Sequence, residues 1–370
     1  MNSKAFVKNL LEEADIKING DRPWDIKVGD EKLYDRVFSG GSLAVGESYM
    51  DGWWDSPELD EFFSHVFKAR LDQKIKISVP AVISVLRGSL LNLQSKTRAF
   101  KVGEEHYDIG NDLYEKMLDK RMAYTCGYWK NAKNLDEAQE AKLDLVCRKV
   151  GLKSGDRILD IGCGWGSFLK FAAEKYGVSG VGITVSKEQA RLARVNCGGL
   201  PIEIRLADYR ELDEKFDHII SLGMFEHVGY KNYRAYMKVA ERCLKDGGLF
   251  LLHTIGSNRS MKIAEPWIEK YIFPGGLLPS IAQIGRSIEG VFVMEDWHNF
   301  GSDYDKTLMC WFKNFDAAWP ALKDKYGERF YRMWKYYLLS CAGAFRARDI
   351  ELWQIVLSKN GVSGGYNSIR

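Results

Sequence analysis

The second half of the chain alternates short apolar runs with segments whose apolar side chains recur at helical spacing. Runs of the first kind predict buried strands, and segments of the second kind predict amphipathic helices. The predicted strands are Arg157–Ile161, Val178–Val185, Phe216–Leu222 and Leu249–Thr254, and the predicted helices are Ser167–Tyr176 and Ser186–Asn196. Strand–helix alternation of this kind is typical of parallel sheets with crossover helices. The pattern therefore predicts a doubly wound α/β sheet.

The start of the chain has a different pattern. Apolar side chains recur at helical spacing over Leu59–Val66, and an aromatic and acidic cluster precedes them at Glu47–Asp55. We expect residues 1–76 to form a small separate N-terminal domain, residues 77–102 a linker, and residues 103–370 the larger domain that carries the alternating strands and helices. An N-terminal domain of this size is only marginally stable unless it docks on a neighbour.

The region around the predicted linker is strongly basic. Between Lys68 and Lys101, eight basic side chains accompany a single acid. Pro80 can begin a helix in which Ile83, Leu86, Leu90 and Leu93 fall on one face. A basic amphipathic helix binds an anionic membrane surface or packs on its own protein, and the pattern leaves both interpretations open.

Composition excludes several classes of protein. The 370 residues carry 53 basic and 50 acidic side chains, a net charge of +3, so we expect no nucleic-acid partner. No apolar run approaches the roughly 20 residues of a membrane-spanning helix, and residues 1–20 lack the apolar core of a signal peptide. The 7 cysteines form no CxxC pairs, which indicates neither a disulfide framework nor a metal site. We therefore expect a soluble, cytoplasmic protein.

The first predicted strand ends in an acid followed by a glycine-rich turn. Asp160–Gly166 reads D-x-G-x-G-x-G, which differs from the G-x-G-x-x-G turn of dinucleotide-binding folds. Asp160 would repel a phosphate but suits a cationic amino-acid ligand, and Gly162 and Gly164 let the backbone approach that ligand. With the turn at Lys245–Gly248, this pattern resembles motif I of class I S-adenosylmethionine-dependent methyltransferases. The alternative is a nucleotide-binding domain.

That resemblance implies further contacts with S-adenosylmethionine. Methyltransferases commonly end their second strand with an acid that binds the ribose, and here Thr184 and Gln189 are the nearest polar candidates. Asp208 and Tyr209 stand where adenine contacts usually lie. For Tyr209 the alternative interpretation is ordinary core packing.

Several further strings resemble the bacterial cyclopropane-fatty-acyl-phospholipid synthases and the related mycolic acid cyclopropane synthases. They are Gly46–Trp54, Tyr124–Trp129, Gly223–Gly229 and Leu251–Gly256. The resemblance covers essentially the whole chain. It implies a reaction that adds the methyl carbon of S-adenosylmethionine across a cis double bond of a phospholipid acyl chain, and it implies that Tyr124 and Thr125 contact this cofactor.

The resemblance also implies a bound bicarbonate ion as the base of the reaction. The residues expected to hold this ion are Cys126, Glu226, His253, Ile255 through its backbone, and Tyr304. Glu226 is expected to accept a hydrogen bond from the bicarbonate hydroxyl, and His253, the Ile255 amide and the Tyr304 hydroxyl to donate to its oxygens. Taken singly, these residues have plainer interpretations, since a lone cysteine is usually a small buried apolar residue.

Unsaturated phospholipids are the expected substrates. We expect peripheral contact with the inner membrane surface through residues 1–76 and the basic linker, and the resemblance suggests a homodimer. The apolar, turn-rich stretch Pro266–Pro279 is expected to form a lid over an acyl-chain channel. Two other functions stay open: a related lipid C-methyltransferase that leaves a methyl or methylene branch, and a non-catalytic lipid-binding module.

Overall fold

The computed structural model describes residues 2–74 and 110–370, and the predicted linker helix from Ile83 to Leu93 lies outside them. The strands are β1 (Lys27–Val28), β2 (Trp54–Asp55), β3 (Arg157–Ile161), β4 (Ser179–Thr184), β5 (Ile202–Leu206), β6 (His218–Leu222), β7 (Leu249–Ser257), β8 (Val293–Asn299) and β9 (Ile350–Ser358). The helices are α1 (Ser3–Glu13), α2 (Lys32–Met50), α3 (Leu59–Lys68), α4 (Leu71–Lys74), α5 (Asn111–Met117), α6 (Leu135–Val150), α7 (Ser167–Tyr176), α8 (Lys187–Asn196), α9 (Tyr233–Cys243), α10 (Pro266–Tyr271), α11 (Ile281–Ile288), α12 (Ser302–Tyr326) and α13 (Glu328–Arg346).

The chain divides into two compact units, each assembled from several stretches. Within the described residues, the first comprises 2–74, Lys262–Pro274 and Tyr304–Ile350, and the second comprises 110–261, Gly275–Asp303 and Glu351–Arg370. We name them the helical unit and the sheet unit. Two segments from late in the chain belong to the helical unit, whereas the sequence suggests contiguous domains. The boundaries at 76 and 102 stay predictions.

In the helical unit, α3 packs closely against α13. The closeness depends on Gly343 of α13, where a Cβ would lie 2.6 Å from the backbone oxygen of Asp60 and from the Cβ of Phe63. The predicted helix at Leu59–Val66 is confirmed by α3, whose apolar face is buried around Leu59 and Phe63. These contacts attach the N-terminal residues to a helix from the end of the chain.

The sheet unit is built on seven strands in the order β5-β4-β3-β6-β7-β9-β8. Strands β3 to β7 pair in parallel, and β8 pairs antiparallel with β9. One apolar cluster contains residues of α6, α7 and α8, and a second contains residues of α9 and α11. Because successive strand residues alternate between these clusters, helices cover both faces of the sheet. The doubly wound α/β prediction is confirmed.

The strand order changes direction between β3 and β6. In register, Asp160 of β3 lies opposite Gly182 of β4 and Ile220 of β6. Ligands of open α/β sheets bind beyond the carboxyl ends of the strands at such a point. The glycine-rich turn after Asp160 therefore leaves the sheet where a ligand is expected.

Strand β7 continues farther than the sequence predicts, to Ser257 instead of Thr254. Its extension is paired, because the Ser257 amide donates to the Pro279 carbonyl at 2.9 Å. As a result His253 lies in the interior of the strand instead of near its end. Among the described residues, none of the helices has both the length and the apolar content needed to cross a bilayer.

Candidate active site

Three glycines turn the chain sharply after β3. Gly162, Gly164 and Gly166 have φ angles of 88°, 53° and 84°, a backbone region that other residues adopt only with strain. A Cβ on Gly162 would lie 2.7 Å from Met224, whereas a Cβ on Gly164 would meet nothing within 4 Å. The turn is thus packed on the Met224 side and open beside Gly164, where a ligand can approach the backbone.

Asp160 is the buried acid that precedes this turn. Its side chain is almost fully buried, and Oδ1 has no hydrogen-bond partner among the described residues. Burial raises the pKa of Asp160 to about 7, and the positive charge of Lys142 opposes that rise. An unsatisfied buried carboxylate oxygen is costly, and a ligand ammonium group would satisfy it. The acid and the open turn fit the cationic amino-acid ligand that the sequence predicts.

Lys142 on α6 is not among the residues that the sequence singles out. Its side chain is fully buried, and Nζ donates to Thr125 Oγ1 at 2.7 Å. Burial lowers the pKa of Lys142 to about 8. The signal that could have found it is its position, four residues after Ala138 and four before Val146, both on the buried face of the helix.

Tyr124 and Thr125 lie in the loop before α6. Gln139 donates from Nε2 to the Thr125 carbonyl at 2.7 Å, which fixes the loop on the helix. The Tyr124 ring meets Tyr114 edge-on at 5.1 Å, and Tyr114 lies 5.0 Å from Trp165 of the glycine-rich turn. Tyr124 is therefore linked to the glycine-rich turn through Tyr114, and the contact of Tyr124 and Thr125 with the cofactor stays a prediction.

Thr184 and Gln189, the ribose candidates, lie at the end of β4 and in the first turn of α8. Thr184 Oγ1 donates to Gln189 Oε1 at 2.8 Å. Ser186 caps α8, because its Oγ accepts from the Gln189 amide at 3.2 Å. The predicted helix at Ser186–Asn196 is confirmed by α8, and the cap at Ser186 holds the two candidates together.

Asp208 and Tyr209, the adenine candidates, follow β5. Asp208 is buried and accepts from the Arg210 amide at 3.0 Å, and its Oδ1 pairs with the Arg210 guanidinium at 3.3 Å. Tyr209 is buried and packs edge-on against Tyr236 with ring centroids 5.0 Å apart. The structure thus gives Tyr209 the core contact that was its alternative interpretation. A contact of either residue with adenine stays a prediction.

Glu226 and His253 are brought together by the pairing of β6 and β7. Leu222 lies opposite His253, and the Gly223 amide donates to the His253 carbonyl at 2.9 Å. The turn that carries Glu226 follows immediately. Glu226 Oε1 accepts from the Ile255 amide at 2.6 Å, and Oε2 has no partner among the described residues. The amide predicted to donate to an anion therefore donates to Glu226, and a role for it at a bound anion stays a prediction.

Burial controls the charge of both side chains. It raises the pKa of Glu226 to about 7 and lowers the pKa of His253 well below 6.5. The positive charges of Lys142 and Lys149 lower the pKa of His253 further. His253 is neutral at physiological pH, and its Nε2 lacks a partner within residues 2–74 and 110–370. The turn after β6 and the neighbouring strand β7 thus supply one unsatisfied carboxylate oxygen and one unsatisfied imidazole nitrogen.

Cys126 and Tyr304 complete the predicted set. Cys126 is fully buried in the sheet unit, and its thiol donates to the Gly127 carbonyl at 3.1 Å. Tyr304 belongs to the helical unit, in the first turn of α12, where its ring stacks on Phe345 at 4.5 Å. Anion binding by these two residues stays a prediction.

The predicted lid, Pro266–Pro279, is shared between the two units. Its first part forms α10, where Trp267 is 1% exposed and its Nε1 donates to Met50 Sδ at 3.4 Å. Trp267 therefore packs in the core of the helical unit, and the lid role of the stretch stays a prediction. Its last part borders the candidate site, because the Leu277 amide donates to the Glu226 carbonyl at 2.8 Å.

Comparison with known proteins decides the family. The family model for mycolic acid cyclopropane synthetase matches residues 94–355. The cyclopropane-fatty-acyl-phospholipid synthase of Escherichia coli (strain K12) is 55% identical over 365 residues, which span 99% of this chain and 95% of the relative. The chain belongs to the mycolic acid cyclopropane synthetase family. It is an enzyme, an S-adenosylmethionine-dependent transferase.

Two other similar proteins widen the comparison. A probable fatty acid methyltransferase of Pseudomonas putida is 38% identical over 275 residues, covering 71% of this chain and 70% of the relative. The crystal structure of the mycolic acid cyclopropane synthase CmaA1, complexed with SAH and CTAB, superposes with a TM-score of 0.66. It shares 33% identity, over 70% of this chain and 98% of that one. The class I methyltransferase fold predicted from Asp160–Gly166 is confirmed.

Proposed function

We propose that the protein transfers a methylene group from S-adenosylmethionine to the cis double bond of unsaturated phospholipid acyl chains, forming a cyclopropane ring. The observation that carries the proposal is the 55% identity to the Escherichia coli synthase over almost the whole of both chains. That alignment extends to residues before position 94, which the family model does not match. These residues contribute α1 to α4 of the helical unit. The similarity to the Escherichia coli synthase therefore includes the residues before position 94, which lie outside the match to the family model.

The reaction sets physical requirements for the site. An alkene has no proton to lose before it attacks, so no Ser–His–Asp type of activation is needed. Bound S-adenosylmethionine supplies the electrophilic methyl group and bound bicarbonate supplies the base. The acyl chain passes through a carbocation-like centre, which requires aromatic faces and the exclusion of water. Ring closure then requires removal of a proton from the transferred carbon.

Glu226 and His253 are the residues best suited to hold the base. Bicarbonate has one hydroxyl donor and several acceptor oxygens, and the site offers Oε2 of Glu226 as an acceptor and Nε2 of His253 as a nitrogen able to donate. Both side chains are buried, so an anion held there would be shielded from water. Cys126, the Ile255 backbone and Tyr304 remain the other proposed contacts.

Turnover in buffers freed of carbonate tests the base. The protein is incubated with methyl-labelled S-adenosylmethionine and vesicles of unsaturated phospholipid, with and without added bicarbonate. We expect a cyclopropane product, a rate at least about tenfold lower without carbonate, and recovery when bicarbonate is returned. An unchanged rate without carbonate would reject bicarbonate as the base and leave ring formation as the function.

A second candidate function is transfer that leaves a methyl or methylene branch on the acyl chain. The Pseudomonas putida relative, named a probable fatty acid methyltransferase, favours it. The two reactions share the attack on the methyl group and differ in the carbon that loses its proton. Nuclear magnetic resonance of the extracted lipid separates them, since only the first product contains a cyclopropane ring. A non-catalytic lipid-binding module would give no labelled lipid at all.

The substrate chain lies inside a bilayer, so the enzyme must draw it from a membrane surface. Peripheral contact with the inner surface through the basic region is part of the proposal. Three basic residues of that region lie within the described part of the chain: Lys68 and Arg70 are exposed, and Lys74 forms an ion pair with Glu13. A homodimer is also proposed, and analytical ultracentrifugation of the full chain tests it.

A further inference from the structure

Gln354 is a buried glutamine in the middle of β9, beside β7 in the sheet. It is 0% exposed, and the residues next to it along the strand, Trp353 and Ile355, are buried core side chains. A polar side chain in such a position is costly unless its hydrogen bonds are satisfied. Its amide Nε2 lies 3.3 Å from Nδ1 of His253, and its Oε1 has no partner among the described residues. The contact with His253 is therefore the one that orients this side chain within the described chain. The two side chains that form this contact are 101 residues apart in the sequence.

Strand geometry explains why these two side chains meet. Side chains of a strand alternate between its faces, so His253 shares a face with Leu251, and Gln354 shares a face with Val356. Leu251 and Val356 belong to the same apolar cluster, together with Leu143 of α6. His253 and Gln354 therefore lie on the face of the sheet that α6 covers.

The contact determines where the proton of His253 sits. An amide N–H can only donate, so Nδ1 must accept, and the ring proton of the neutral imidazole is then on Nε2. Nε2 is the nitrogen without a partner in the described chain. The charged groups around the ring, Lys142 and Lys149, disfavour a second proton. His253 consequently presents a single N–H donor and no positive charge.

We propose that Gln354 is a positioning residue that holds His253 as the Nε2–H tautomer, so that the ring donates to the anion bound beside Glu226. The choice of anion rests on the proposed function, whereas the tautomer follows from the orientation of the Gln354 amide, whose Nε2 faces Nδ1 of His253. With the opposite tautomer, the Nε2 lone pair would face the ligand, and a lone pair repels an anion. Gln354 thus gives His253 the role of a donor instead of that of a general base.

Nitrogen NMR of the full chain labelled at histidine tests the tautomer directly. The protein contains 6 histidines, and His253→Asn identifies the signal of His253. His218 is an internal reference, because its Nδ1 accepts from the Leu249 amide at 3.2 Å, which also places the proton on Nε2. We expect the signals of His253 and His218 to report the same tautomer. A proton on Nδ1 of His253 in the wild-type protein would overturn the proposal without any variant.

Two variants of Gln354 separate positioning from packing. Gln354→Met keeps the approximate volume and removes the donor, and Gln354→Glu keeps the shape and offers an acceptor instead. We expect Gln354→Glu to move the proton of His253 to Nδ1 while the His218 signal stays unchanged. We expect kcat to fall about tenfold in Gln354→Met and further in Gln354→Glu. The affinity for S-adenosylmethionine should change less than about threefold in both, since neither variant alters the glycine-rich turn.

The dependence of the rate on bicarbonate concentration links the residue to the ligand. The bicarbonate concentration for half-maximal rate should rise about tenfold in Gln354→Met, because a loosely held ring is a poorer donor. Variants that fold and keep wild-type kcat would overturn the positioning role. A wild-type rate independent of bicarbonate would reject the proposed base, and the NMR experiment would still decide whether Gln354 fixes the tautomer.

Discussion

The Ile255 amide donates to Glu226 Oε1 at 2.6 Å, and this bond orients the carboxyl group from the backbone. Because the donor is a main-chain amide of β7, its position is fixed by the strand and does not depend on the rotamer of a donor side chain. Only one carboxylate oxygen is used, and Oε2 is left unsatisfied within the part of the chain that the structure describes. Glu226 is thus anchored on one side and available on the other.

Glu226→Gln should reduce turnover far more than cofactor binding. The amide oxygen can still accept from Ile255, but the other position becomes a donor and can no longer accept from a bicarbonate hydroxyl. We expect kcat to fall by about 10²-fold, with the Kd for S-adenosylmethionine changed less than about threefold in calorimetry. Glu289→Gln, at an exposed position, is the matched control and should keep wild-type kcat. Equal losses of binding and turnover would contradict the assignment.

The same variant should change how stability depends on pH. Burial raises the pKa of Glu226 from 4.5 to about 7 in the folded protein, so the folded state favours the protonated acid. That stabilisation is complete below the unfolded-state pKa and is lost as the pH rises through about 7. At pH 8 Glu226→Gln should therefore be more stable than the wild type by up to about 3 kcal/mol, with little difference near pH 4.

Urea unfolding at the two pH values measures this difference. Burial also raises the pKa of Asp160 to about 7. Asp160 therefore changes the free energy of unfolding with pH by the same amount in the wild type and in Glu226→Gln, and its contribution cancels in the difference between them. A stability gain of the same size at both pH values would show that Glu226 is not buried as an acid with a raised pKa.

Lys142 should control the pH at which S-adenosylmethionine binds. Its charge holds the pKa of Asp160 below the value that burial alone would give. In Lys142→Met the pKa of Asp160 rises, so more of the carboxyl is protonated at pH 7 and attracts the ligand ammonium less. We expect a Kd about tenfold higher than that of the wild type at pH 7, and a ratio of the two Kd values that falls as the pH rises and Asp160 ionises in both proteins.

Lys149→Met is the matched control for that experiment. Lys149 is buried on the same helix but pairs with Asp296, at 3.7 Å, and not with Asp160. Its replacement should leave the pH profile of S-adenosylmethionine binding in place. A shift of equal size in both variants would mean that the effect comes from general loss of helix packing.

The features that the sequence predicts are local ones. The cap at Ser186 can be predicted because the capping side chain and the amide it accepts from are three residues apart. The turn at Asp160–Gly166 can be predicted because acid and glycines are adjacent and their backbone requirements are intrinsic. The order of strand and helix in this region follows from periodicity in the same way.

The features that could not be predicted depend on distant partners. The last residues of β7 are strand because Ser257 pairs with residues after Pro279. The helical position of Lys142 indicates burial, but the Thr125 hydroxyl that accepts from its Nζ lies in a separate loop and cannot be identified from that position. Gln354 gains its role only from His253 on the neighbouring strand. None of these partners is visible in the pattern around the residue itself.

Neutralising the basic region should weaken binding to anionic membranes. A cation near an anionic bilayer contributes about 1 kcal/mol, so replacing Lys68, Lys74, Lys76 and Arg87 by glutamine should weaken binding at low salt by at least about tenfold. At high salt the difference should shrink, because surface charges are screened over about 10 Å at 0.1 M. Flotation with vesicles of anionic or zwitterionic phospholipid measures both effects. The control replaces four exposed basic residues of the sheet unit: Lys153, Lys175, Lys238 and Arg286. If both sets weaken binding equally, net charge and not the basic region directs the protein to the membrane.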